Sequence, residues 1–405
     1  MCPAPGTVPL NPIAPSPLDA TGPLAQRYRH FVRRRLLLLA ALLAVLCASV
    51  VADIALGPSN FAFADVLRGL FTPGALPQAQ QVILWEVRLP YAVMAVLVGA
   101  SLGLAGAEMQ TALNNPLASP FTLGVSAAAA VGASAAVVSG FTLIAWGENM
   151  AVPLCAFIGA ACATALIQLL AWRQGATVDT VVLFGIALLF SFEALLWLLQ
   201  FIADSNALQQ IVFWTMGSLG RATWTKIGIV GMVLSLCLLW SARQAWALTA
   251  LRAGEDQARS FGIAVERLRL VTLLRVSLLA ATALSFVGTI GFVGLVGPHI
   301  ARMLLGEDHR YYLPGSALAG ALMLSLASIL SKALVPGVVL PIGIITALVG
   351  VPLFIGFIPK LQFAQAAFAL TWEKWPVLLA LAVSTLLNVL YFLYTAMVLW
   401  LPQKD

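Results

Sequence analysis

Residues 87–131 read VRLPYAVMAVLVGASLGLAGAEMQTALNNPLASPFTLGVSAAAAV. The first half is an apolar run punctuated by Gly99, Gly103 and Gly106, and it ends in the polar turn Asn114-Asn115-Pro116-Leu117-Ala118-Ser119-Pro120. A second run, rich in small residues, leaves that turn. Small residues at helical spacing let backbones approach closely, and inside a bilayer that van der Waals fit drives helices together. The stretch therefore predicts two helices packed tightly in a membrane, with a break between them.

The rest of the chain points the same way. Hydrophobic residues make up 61% of its 405 residues and charged ones 9%, against about 25% charged in a soluble domain. A helical span takes ~20 mostly apolar residues. Candidate spans fall at 36–56, 91–113, 116–140, 151–172, 180–203, 226–242, 270–289, 290–305, 312–331, 338–358 and 376–400. The long apolar runs lack the alternation of barrel strands, so the predicted fold class is an all-α polytopic membrane protein. Cys2, Cys47, Cys155, Cys162 and Cys237 are scattered, as are His30, His299 and His309. None has the spacing of a metal site, and no cofactor is implied.

Charge sets the expected orientation. Residues 1–26 hold seven prolines and no Lys or Arg, which reads as a disordered tail; Arg27, Arg29, Arg33, Arg34 and Arg35 then precede the first span. With a cytoplasmic amino terminus, most of the 22 Lys and Arg residues fall on or near the cytoplasmic side, as the positive-inside bias requires. The net charge of +6 sits at membrane borders, which argues against nucleic acid as a partner. Outside, 57–90 offers an interfacial helix around Phe63–Phe71, and 204–225 an amphiphilic segment whose Trp214 and Trp224 suit a membrane–water interface. Inside, 253–269 (AGEDQARSFGIAVERLR) reads as two short helices divided at Gly262. Val98-Gly99 with Gly103 and Gly106 is echoed by Val287-Gly288 with Gly291, Gly294 and Gly297. No G-x-x-x-x-G-K-[ST] occurs, so the energy for any pumping comes from a partner or an ion gradient.

Several of these pieces occur together in a recognisable order. EVRLP at 86–90, NNPLASPFTLGVSA at 114–127, FWTMGSLG at 213–220 and AGEDQARSFGI at 253–263 come first. GFVGLVGPHIARMLLGEDHRYYLPGSALAGA at 291–321 and LPIGIITALVGVPLFI at 340–355 follow. Over residues 36–358 the chain resembles the permease subunits of binding-protein-dependent ABC importers for iron-siderophores, haem and vitamin B12. The resemblance implies a ten-helix bundle that pairs with a second permease copy or a paralogue. It further implies a dimer of ATP-binding subunits inside and an extracytoplasmic solute-binding protein.

The same resemblance assigns candidate sites. Gly254, Glu255, Ala258, Arg259 and Gly262 match the loop that docks into the ATP-binding subunit. Arg88 and Lys332, both exceptions to the positive-inside bias, match cations that meet acidic residues of the binding protein; a third basic position of that pattern is Tyr91 here. Glu193 lies on the helix that lines the pathway in the family, where it would contact polar cargo or bond a neighbouring Ser or backbone group. Thr177, Asp179 and Thr180 fall where related permeases constrict the cytoplasmic mouth. Glu108, also intramembrane, is close enough to the cytoplasmic end to reach water.

The expected organisation is a Pro-rich tail over 1–26, a permease domain over 27–358 and an atypical extension over 359–405 carrying an eleventh apolar helix. Part of that extension faintly resembles proton-translocating antiporter-like subunits, with Lys360 and Lys374 more readily membrane-border residues than proton carriers. The expected cargo is a ferric siderophore or similar iron chelate, in a protein of the cell membrane surrounded by lipid. Haem or cobalamin is the alternative within the fold, and an ion-coupled secondary transporter the alternative outside it.

Overall fold

The computed structural model describes residues 21–57, 63–72, 74, 76–141, 150–174, 177–335 and 337–352. The eleventh span, Lys360 and Lys374 lie outside the described residues. In chain order the helices are α1 (Thr21–Ala55), α2 (Phe63–Phe71), α3 (Gln78–Val82), α4 (Leu89–Ala112), α5 (Val125–Ser139), α6 (Ala151–Gln174), α7 (Val178–Ile202), α8 (Ser205–Thr215), α9 (Trp224–Arg243), α10 (Ala245–Ala253), α11 (Glu255–Ser260), α12 (Val265–Val287), α13 (Val293–Leu305), α14 (His309–Ala333) and α15 (Ile342–Pro352). A π turn, Ile83–Arg88, joins α3 to α4. Among the described residues, seven helical stretches are long and apolar enough to cross a membrane, and α5 and α13 are shorter apolar helices. The protein is an all-α polytopic membrane protein. Residues 21–26, read in the sequence as tail, belong to α1.

The helical hairpin α10–α11 marks one end of the bundle, here called basal; α2, α3 and α8 mark the other, apical end. At the centre stands α4, most of it buried and packed against α12, α13 and α14. Its glycines make this possible. A Cβ on Gly99 would meet the Gly320 carbonyl, one on Gly103 the Ser316 carbonyl and one on Gly106 the Gly294 carbonyl. The glycine echo is thus partly face to face: Gly106 of the first set lies against Gly294 of the second. A second close approach joins α5 to α6, where Gly132 abuts the backbone at Cys155 and Gly159 that at Ala128.

The third expected span, 116–140, is helical only from Val125. Asn114 takes a positive φ of 43° and Gly124 one of 75°, and Pro116 and Pro120 supply no N–H, so the segment between the two helices stays irregular. Irregular backbone at membrane depth is tolerated only where protein buries it. Here Ala118, Ser119 and Leu123 are buried, and Gly124 touches Leu189 in the middle of α7. The freed groups find local partners: Thr122 Oγ1 donates to the Ser119 carbonyl at 2.8 Å, and the Ser119 N–H donates to Thr122 Oγ1 at 3.1 Å. The eighth span is shortened in the same way. Gly288 closes α12, and Phe292, with φ 66°, opens α13. Trp214, expected at an interface, is buried instead against Gly288, while Trp224 remains exposed and its indole N–H donates to the Trp85 carbonyl.

Gly106 and Gly228 separate close approach from helix propensity. Gly106→Ala places its methyl on the Gly294 carbonyl and should destabilise the bundle by ~1–3 kcal/mol. Gly228→Ala meets nothing within 4 Å and should be neutral or stabilise α9 by up to ~1 kcal/mol. Thermal melts of the two variants in one detergent check the contrast; equal shifts refute it.

Candidate functional site

The basal hairpin is built by two glycines. Gly254, with φ 140°, separates α10 from α11, and Gly262, with φ 78°, ends α11. The Ile263 N–H reaches back to the Ala258 carbonyl at 3.1 Å and the Gly262 N–H to the Arg259 carbonyl at 2.9 Å. These are the two bonds of a Schellman ending, which calls for a left-handed residue at the position Gly262 occupies. Ala258 is fully buried and packs with Ile263 into the basal core. Of the five residues expected in this loop, Ala258 is therefore an anchor and the two glycines are joints.

The two charged residues of the loop behave differently from each other. Arg259 is exposed and pairs with Glu266 at 2.8 Å, with Glu255 at 3.5 Å and with Asp256 at 3.9 Å. The hydrogen bond that Arg259 donates to Glu266, followed by the carboxylate's charge, favours the charged guanidinium further. Glu255 shares a helical face with Arg259 as the spacing predicts, but its short partner is Arg269. Arg269 is almost wholly buried and its Nε donates to the Ala112 carbonyl at 2.9 Å. One arginine thus ties α11 to the last carbonyls of α4.

Other bonds continue this link. Arg252 on α10 donates to Asn114 Oδ1 at 2.6 Å and pairs with Glu307 at 3.0 Å. His309, at the start of α14, lies between Thr111 Oγ1 at 2.8 Å and Thr249 Oγ1 at 3.1 Å. Arg302 reaches Gln110 Oε1 at 3.0 Å and the Tyr312 hydroxyl at 3.1 Å. Asp308 pairs with Arg310 at 2.7 Å and Arg35 at 3.6 Å. The Arg310 hydrogen bonds hold its carboxyl below the usual carboxylate range. The polar turn 114–120, α10, α11 and the α13–α14 loop therefore form one bonded layer.

Above this layer Glu108 does not reach water. It is fully buried, as is Arg275, whose Nε lies 3.0 Å from Glu108 Oε2; Ser241 Oγ donates to the other oxygen. Arg275 also donates to Gln244 Oε1, so the pair joins α4, α9 and α12. The sequence shows two charged residues in apolar runs and nothing of their pairing across 167 positions.

At the apical end the two expected docking cations turn inward. Arg88 Nη1 donates at 2.8 Å to the carbonyls of Ile54 and Ala55, the last turn of α1. Lys332 Nζ lies 2.8 Å from Asp53 Oδ1 and 4.3 Å from the Tyr91 ring centre, and Ser328 Oγ donates to the same carboxylate. Both cations hold α1 against α4 and α14. On α7, Thr177 caps the helix by accepting from the Thr180 N–H at 3.3 Å, with the two hydroxyls 2.7 Å apart. Asp179 follows in the first turn, where a carboxylate complements the helix dipole. Glu193 is half-exposed on a stripe with Ile186, Phe190, Trp197 and Phe201, the last 87% exposed. The structure brings Gly254, Glu255, Ala258, Arg259 and Gly262 together, and Arg88 with Lys332 around the end of α1. Thr177, Asp179 and Thr180 form the basal start of α7, with Glu193 several turns along it.

Two basal residues escaped the sequence reading. Trp246 and Phe261 are 64% and 55% exposed, with ring centres 6.0 Å apart. An exposed aromatic pair beside a mixed-charge hairpin has the composition of a partner-binding surface. In sequence, each aromatic next to an apolar run reads equally well as a membrane-border residue.

The FecCD transport family matches residues 41–360. The Yersinia pestis protein named hemin transport system permease is 37% identical over 275 residues, 67% of this chain and 82% of that one. The Escherichia coli protein named vitamin B12 import system permease is 35% identical over 335 residues, 83% of this chain and 96% of that one. Among solved structures, an inward-facing ABC transporter described as of metal-chelate type superposes with a TM-score of 0.70. It is 30% identical, over 80% of this chain and 98% of that one.

Glu108→Gln leaves Arg275 buried without a counter-charge and should cost ~3–5 kcal/mol. Glu108→Leu combined with Arg275→Leu should recover most of that loss. Melting curves of the purified variants in detergent test this; a Glu108→Gln protein that melts like the parent refutes it.

Proposed function

The chain belongs to the FecCD transport family, so it is a membrane permease subunit and not an enzyme, and we propose that it imports a ferric siderophore or similar iron chelate. Cargo would pass between this chain and a second copy or a paralogue, handed over at the apical face by a solute-binding protein. A dimer of ATP-binding subunits at the basal face would drive the cycle. The amino terminus would then be cytoplasmic, and the membrane the cytoplasmic or inner one.

The observation that carries this reading is the basal hairpin with its exposed aromatic pair. A partner that moves α11 pulls on Arg269 and Arg252 and, through them, on the end of α4 and the turn 114–120. That is a mechanical route from a cytoplasmic motor to the membrane helices. Thr177, Asp179 and Thr180 would sit at the inner mouth, where a capped helix start supplies a rigid rim. The exposed stripe of α7 would face the second permease, with Glu193 the polar group offered to cargo. Arg88 and Lys332 would shape the docking surface by fixing the outer ends of α1, α4 and α14.

Haem or cobalamin remains a second reading, favoured by the names of the Yersinia and Escherichia relatives. Uptake by cells lacking the gene separates the two. Loss of ferric-chelate uptake with haem and cobalamin uptake intact supports the iron reading, and the reverse pattern replaces it.

The coupling reading has its own test. Phe261→Ala with Trp246→Ala removes exposed rings only and should leave folding intact while abolishing co-purification of the ATP-binding subunit. Gly262→Val strains the left-handed position by ~1–2 kcal/mol, and should uncouple ATP hydrolysis from uptake in reconstituted vesicles. Normal partner binding and normal transport in both variants would sink the assignment. Uptake driven by a proton or sodium gradient with no ATPase present would make the protein a secondary transporter.

A further inference from the structure

Two cavities adjoin at the apical end. One, of about 760 Å³, is walled by Asn206, Gln209 and Gln210 of α8 and by Arg221, Thr223 and Lys226 at the start of α9. The other, of about 780 Å³, is lined almost wholly by apolar groups, among them Leu154, Phe157, Ile229, Val233 and Leu278. Pro153, Ser285 and Phe286 stand in both walls. From Phe286 to Leu278 the wall descends along α12 by ~12 Å at the helical rise. That is most of the ~15 Å depth of one leaflet's hydrocarbon. Leu154, Ile229 and Leu278 are each more than a third exposed, so this second cavity opens sideways toward lipid.

Among the described residues, the walls of the first cavity hold two cations and no carboxylate. Lys226 is 6% exposed, and its ammonium donates at 2.9 Å to the Arg221 carbonyl. Among the described residues, no acidic side chain pairs with either Lys226 or Arg221. The contrast with the neighbouring cations is sharp: Lys332 has Asp53, and Arg88 has the end of α1. Two partly desolvated like charges held side by side are costly unless an anion completes them. Asn206, Gln209, Gln210 and Thr223 add donors suited to phosphate and glycerol oxygens.

We propose that the joined cavities bind an anionic glycerophospholipid, its phosphate held by Arg221 and Lys226 and one acyl chain laid along Ile229, Val233 and Leu278. A soluble anion would satisfy the cations but leave the groove empty. A zwitterionic lipid would fill the groove while setting its own cation among two others. An anionic lipid satisfies both halves, at the depth where a headgroup meets hydrocarbon.

The test uses the full chain purified in a non-ionic detergent, with native mass spectrometry measuring retention of phosphatidylglycerol against phosphatidylcholine. The parent should prefer phosphatidylglycerol by about tenfold or more, the scale of one or two charge-assisted bonds. Arg221→Gln with Lys226→Gln should erase the preference, and Lys226→Arg, which keeps the charge, should retain it. Should the double variant fail to fold, Arg221→Gln alone, at a half-buried side chain, should still reduce the preference severalfold. Ile229→Trp fills the groove from an exposed position and should cut retention with both cations intact. The proposal fails if the parent retains both lipids equally or if Arg221→Gln changes nothing. It fails also if Ile229→Trp retains phosphatidylglycerol like the parent, or if glycerol phosphate displaces it as well as added lipid does.

Discussion

Backbone contact between α4 and its neighbours is the constraint from which the other arrangements follow. Lipid tails are as apolar as Leu, so burying hydrocarbon gains little inside a bilayer, and association depends on how closely helices fit. Gly99, Gly103 and Gly106 bring α4 onto α13 and α14 at carbonyl distance. Once α4 is seated so deeply, the side chains it projects toward the basal end have no water within reach. Glu108 must then find Arg275, Thr111 must find His309, and Gln110 must find Arg302. The polar layer is the completion that the glycine seam demands.

That layer also explains why the hairpin is more than a solvated loop. A surface ion pair such as Arg259 with Glu255 contributes little, ~0.3–0.5 kcal/mol, and would transmit nothing on its own. Arg269 is different because it is buried and bonded at both ends, to Glu255 in front and to the Ala112 carbonyl behind. Displacing α11 without moving α4 would strand that guanidinium. The helices therefore move together or the bond breaks, and a buried broken bond is expensive.

Much of this architecture was legible because it rests on local rules. The spans follow from apolar length, and a short helix falls at Phe63–Phe71 as read. A break falls at Gly262 where the sequence places it, although the helix that follows is the long α12 and not a second short one. Two kinds of feature were not. The irregular pieces before Val125 and after Gly288 look apolar enough to be helix, and only burial by neighbouring helices lets them stay unwound. Pairings across distance were equally hidden. Arg88 and Lys332 read as outward cations because sequence shows a charge at a border and not the carbonyls or carboxylate behind it. Trp246 and Phe261 were lost for the opposite reason, since a border aromatic is the commonest thing in a membrane protein.

The bond between Asp53 and Lys332 has a consequence for how the protein is made. The two residues are 279 positions apart, and Asp53 lies in α1, the first of the described helices to leave the ribosome. At ~5–20 residues per second, it waits on the order of tens of seconds before its lysine exists. Through that interval the Asp53 carboxylate, near the end of an otherwise apolar helix, lacks Lys332, and Ser328 is equally late. The bond that ties α1 to α14 closes only once α14 has been made, so a helix made early is among the last to be locked.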